Sequence, residues 1–135
     1  MDRHDLSAWR WLAATVLAHL VISIVHGIAH TDAQVPLSLA GTLFVFTVII
    51  VGPPAGLAWT WINERRGSWL VAATMAGSFV FGVVNHFLIS GPDHVAHVAA
   101  SSRTLFATTA VLVAFTEAVG FVLAIRLARR RIAVR

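Results

Sequence analysis

Cysteine is absent from the 135 residues, which excludes structural disulfides, thiol redox chemistry and thiolate metal ligands together. Lysine is absent too, so fixed positive charge rests on arginine alone. Charge of either sign is scarce: 12% of the residues are charged, against 58% hydrophobic, and the mean hydropathy is +0.80. A soluble domain of this size needs more polar surface than that. The chain is therefore expected in a membrane, and any metal it holds must be bound through nitrogen and oxygen.

What is present is four apolar runs, at residues 8–29, 36–62, 68–89 and 104–128, each near the roughly 20 residues that cross about 30 Å of hydrocarbon. They predict an all-α, integral membrane four-helix bundle forming a single domain over 1–135. The first run reads as retained, since it is long and no small-residue cleavage site follows Ala29. Arg3, Arg10, Arg65, Arg66, Arg126, Arg129, Arg130, Arg131 and Arg135 fall on one side of such a bundle, and Arg103 alone on the other. By the positive-inside rule both termini are cytoplasmic, in a multi-pass protein of the plasma (inner) membrane. The same topology accounts for the formal charge of +4 through contact with anionic lipid headgroups, with no nucleic acid as a partner.

The polar residues are few and unevenly placed. In HLVISIVHGIAH, the histidines His19, His26 and His30 fall within a stripe of about 40° on one helix face, with Ser23 beside them. Imidazoles facing lipid are costly, so this face should turn inward onto partners. Asn85 and His86 come near the outer end of the third run, His86 at about the depth of His26, and Gly82 leaves room one turn below it. The loop SGPDHVAHVAASSR offers Asp93, His94 and His97, with Pro92 and Asp93 suited to the first turn of a short helix whose face His94 and His97 share. Glu117 falls near mid-membrane, at the depth of His19, and the two are expected to approach each other across the bundle. His4 lies among charges at the N-terminus and reads as an ordinary solvated group.

The remaining expectations are architectural. Pro36 should open the second helix, which has no ionisable side chain and reads as lipid-facing scaffold. Gly52, Pro53, Pro54 and Gly56 should kink it. Small residues at Ala73 and Gly77, and at Ser78 and Gly82, are spaced for close contact of the third helix with its neighbours.

Scattered structural histidines would not sort to one leaflet, whereas imidazole and carboxylate together form the ligand set of Zn²⁺, Fe, Mn or Ni. The metal set expected from the sequence is His26, His30 and His86, completed by His94, His97 or Asp93. Asp93 and Glu117 are the candidate acid–base groups, and His19 and Asn85 further cofactor-binding candidates. HGIAH and HVAH resemble the HxxxH and HxxH elements of the histidine-box desaturases and hydroxylases, although paired histidines are missing and no residue roles carry over. GPDH is similar to the GxDH element of nickel permeases. Four classes follow: a non-haem metal enzyme acting on a lipid-soluble substrate, a b-type haem protein with His26 and His86 as axial ligands, a small divalent-metal permease working as a homo-oligomer, and a non-catalytic accessory subunit.

Overall fold

In hydrocarbon a backbone has no hydrogen-bonding partner but itself, so long apolar runs become long helices. The computed structural model describes residues 3–130; Arg131 and Arg135 lie outside the described residues, as do the side chains of Arg3 and His4. The helices are α1 (Arg3–Asp32), α2 (Leu39–Trp59), α3 (Glu64–Leu88) and α4 (Ala100–Ala128). All four are long and apolar enough to cross a membrane, and no strand occurs among the described residues. The surface is inverted relative to that of a soluble bundle. On α1, Leu17, Val21, Ile24 and Ile28 face outward while His19, Ser23 and His26 are buried.

The bundle has two unlike ends. At the arginine end, Leu12, Val16, Val71, Ala72, Met75, Ala124 and Leu127 form a closed apolar cluster, and Trp9 Nε1 donates to Thr60 Oγ1 at 2.8 Å, tying the start of α1 to the end of α2. All five tryptophans, Trp9, Trp11, Trp59, Trp61 and Trp69, belong to this end. At the histidine end a smaller cluster joins Ala29, Phe106 and two loop residues, Val35 and Val98. Close helix approach falls on Gly52, Gly56 and Gly67, not on the pairs expected within α3. A Cβ on Gly56 would lie 2.8 Å from the Val71 nitrogen, whereas one on Gly77 would find only ordinary contact, with Val48 at 3.7 Å.

The expected kink in α2 takes another form. The helix continues through Gly52–Trp59, and the accommodation is a π-helical stretch, Val45–Val51, immediately before it. Pro53 and Pro54 lack the N–H groups that would reach back to the carbonyls of Ile49 and Ile50, and a wide turn absorbs the mismatch. Ser38, not Pro36, starts the helix, its side chain accepting from Gly41 N at 3.1 Å. A second π stretch, Val84–Leu88, ends α3 and closes with Ile89 N donating to Val84 O at 2.8 Å.

Candidate metal centre

Each of three helices contributes to one point. The α1 stripe turns inward as its periodicity requires, and the π turn of α3 aims His86 at it. His26 Nε2 and His86 Nε2 lie 3.1 Å apart, and His26, His30 and His86 each offer a nitrogen within 4.8 Å of the others. Phe106 of α4, fully buried, lies against all three rings with centroid separations of 5.1, 4.8 and 5.3 Å to His26, His30 and His86.

The surrounding groups constrain which ring nitrogens can carry hydrogen. Thr109 Oγ1 lies 2.7 Å from Leu105 O and 2.8 Å from His26 Nδ1. If the hydroxyl keeps its bond to Leu105 O, the hydrogen of His26 is on Nδ1 and its Nε2 lone pair is bare. His86 Nδ1 lies 3.1 Å from the Asp93 carbonyl and 3.2 Å from Asp93 Oδ1, both acceptors, so its Nε2 is bare as well. His30 Nε2 is 3.4 Å from the same Oδ1, which leaves His30 Nδ1 buried with no hydrogen-bond partner. Three ring nitrogens thus share one small volume, and Asp93 Oδ1 lies close to two of the rings. Asp93 lies outside the spanning helices. Burial pushes its carboxyl up, but the hydrogen bond and charge of His86, with His30 and His26 behind it, outweigh burial and hold it below the usual carboxylate range.

The loop that delivers Asp93 is a run of turns, not the short helix expected from Pro92. His94 N donates to Gly91 O at 3.1 Å and His97 N to His94 O at 2.8 Å, while Val95 N bonds the carbonyl of His86 at 3.0 Å. His94 and His97 do not join the trio. His97 Nδ1 is 2.7 Å from Gly91 O, His94 Nε2 is 3.3 Å from Phe87 O, and the two rings keep company at 5.2 Å. Asn85 donates to Phe81 O on its own helix at 2.8 Å.

The expected His19–Glu117 contact is not made. His19 Nε2 is taken by the Ile49 carbonyl at 3.2 Å, the acceptor that Pro53 and Pro54 leave free, and its Nδ1 lies 3.4 Å from Thr116 Oγ1. Glu117 is 1% exposed with no hydrogen bond to either oxygen. It lines a cavity of about 530 Å³ that also reaches His26, His30, His86 and Asp93. Thr42, Val45, Ile49 and Ile50 form part of the cavity wall, so α2 shapes the site as well as bracing the bundle.

The donor set suits a metal ion. With metal–nitrogen bonds of about 2.0–2.1 Å, ligands on adjacent corners of a tetrahedron or octahedron stand roughly 3.4 or 2.9 Å apart, and the 3.1 Å between the two Nε2 atoms falls between these. It does not suit haem held by His26 and His86. Axial ligands face each other across the macrocycle, whereas these two rings meet edge-on at 4.9 Å with Phe106 packed against both. Thr109 and Phe106 were missed in the sequence because one hydroxyl and one phenyl among many on α4 carry no spacing signal. No family model matches the chain, and no curated protein or solved structure is similar enough to it to count as a relative.

Proposed function

We propose that this protein is a membrane-embedded metal protein in which His26 Nε2, His86 Nε2 and His30 Nδ1 hold one divalent first-row ion, and that the ion acts on a molecule dissolved in the membrane. The observation that carries this reading is the approach of His26 Nε2 and His86 Nε2 to 3.1 Å with a nitrogen of His30 in the same small volume. With both nitrogens unprotonated their lone pairs repel, and a cation between them converts the repulsion into binding. Three neutral nitrogens are the donor number of catalytic zinc sites, which keep a further position for water or substrate; iron, manganese and nickel accept the same donors. At that position the ion would serve as a Lewis acid or lower the pKa of bound water. Asp93 is a positioning residue here, holding two imidazoles, and the closed apolar cluster at the arginine end favours a site reached from the histidine end over a conduit through the bundle.

By the arginine distribution, the histidine end faces out of the cytoplasm in the plasma membrane. The test of the centre is metal content by elemental analysis of protein purified without chelator. About one ion per chain is expected for the wild type and for His97→Ala, and a sharp loss for His30→Ala and His86→Ala. Equal content in all four would end the reading. One proton shared between His26 and His86 would also relieve the repulsion, and wild-type protein free of metal after reconstitution would favour it.

A further inference from the structure

Glu117 lines the same cavity as the imidazoles. It is eight residues along α4 from Thr109, the partner of His26, or about 12 Å. Neither carboxyl oxygen receives a hydrogen bond: Thr116 Oγ1 donates to Val113 O at 2.8 Å, Ser78 Oγ to Thr74 O at 2.8 Å, and His19 Nε2 to Ile49 O. A buried carboxyl left unpaired is a standing cost to the fold. Glu117 is among the residues that line the cavity, however, and the cavity has a mouth. Gly27, Thr31, Gln34 and Pro36 line the cavity and are exposed, an added Cβ on Gly27 would meet nothing within 4 Å, and the facing turn of α2, Leu39–Phe44, buries none of its residues. Gly27 lies five residues from the end of α1, about 7 Å, which sets the mouth near the boundary of headgroups and acyl chains.

We infer that the cavity binds a membrane-dissolved molecule with an apolar body and a hydrogen-bond-donor head, which enters between α1 and α2 and seats its head on Glu117. Val45, Ile49, Ile50, Phe81 and Val113 supply an apolar wall for the body. The volume lies within the few hundred to one thousand Å³ of small-molecule sites. An ammonium head satisfies both carboxyl oxygens and the charge; a hydroxyl head satisfies the hydrogen bond. The assignment deepens the metal reading, because the body of such a molecule passes the metal centre, but its binding to Glu117 needs no metal.

The test is titration of purified full-length protein, metal-free and metal-loaded, with hexadecylamine, hexadecanol, methyl hexadecanoate and hexadecane, read as the shift in thermal midpoint and as bound adduct by native mass spectrometry. The amine, the alcohol or both should bind in either metal state, and which of them binds identifies the head. The ester and the alkane should bind at least tenfold more weakly. Glu117→Met should abolish the difference, and Gly27→Leu, at the mouth and off the imidazole face, should weaken binding while leaving metal content unchanged. Equal binding of all four compounds, no binding of either donor compound, or an unchanged preference in Glu117→Met would overturn the proposal. Loss of metal with retained amine binding would sink the metal reading and leave this one standing.

Discussion

A side chain that costs stability and remains in place is the sharpest feature at the scale of single residues. Glu117 is such a residue, and Glu117→Met is expected to raise the unfolding free energy by about 1–3 kcal/mol, visible as a higher thermal midpoint in detergent. Thr109 is its opposite, a residue whose role is to accept one hydrogen bond. Thr109→Val keeps the shape and removes the acceptor for His26 Nδ1, so metal affinity should fall about 10- to 100-fold, while Thr109→Ser retains it; competition with a chromophoric chelator measures both. Acid should separate ion from loop. Imidazole must be neutral to bind a metal ion, so occupancy should decline once acid protonates the trio. The Asp93 carboxyl is held below its ordinary value. Its contribution is complete above the unfolded value of about 3.9 and is lost only as pH falls through the lower folded one. Protease resistance of the loop over 89–99 should persist as acid releases the ion, until Asp93 itself is protonated.

At the scale of elements, two backbone positions carry more than their side chains suggest. Gln34 has φ of 53° in a helix-ending motif in which Val35 N reaches His30 O at 3.1 Å and Gln34 N reaches Thr31 O at 3.1 Å. This motif returns Val35 to the cluster around Phe106. Glycine is the usual occupant of the left-handed position, so Gln34→Gly should hold or slightly raise stability, and Gln34→Val should lower it by about 1–2 kcal/mol, as read by thermal denaturation. At the other end, a methyl on Gly67 would collide with the Thr60 backbone nitrogen and lie 2.7 Å from Gly56 O. Gly67→Ala should therefore part α2 from α3 and lower the thermal midpoint more than Gly77→Ala does. The helices and their spans were legible because twenty apolar residues in a row have one meaning in lipid. The α1 stripe was legible from its spacing, and His86 from its depth. The π turns were not, because inserting one residue into a turn leaves hydropathy unchanged. Nor was the choice of Asp93 over His94 and His97, which depends on how successive turns fold the loop back over Phe106. Pairing Glu117 with His19 by depth failed because depth ignores the carbonyl that two prolines had freed on α2.

At the scale of the whole molecule, polarity along the bundle axis is the organising fact: arginine and indole at one end, imidazole and a cavity at the other, and a sealed apolar cluster between the cavity and the arginine end. A chain without cysteine makes orientation simple to test. Gly91, where an added Cβ meets nothing within 4 Å, can be changed to Cys, and the variant should react with a membrane-impermeant maleimide from outside intact cells; labelling only after lysis would invert the topology. The placement of the tryptophans has a practical corollary. From Trp9 to His26 is 17 residues of continuous helix, about 26 Å, and no tryptophan lines the cavity. A titration followed by intrinsic emission should stay flat through saturation, and a silent optical trace would describe a working centre as well as an empty one.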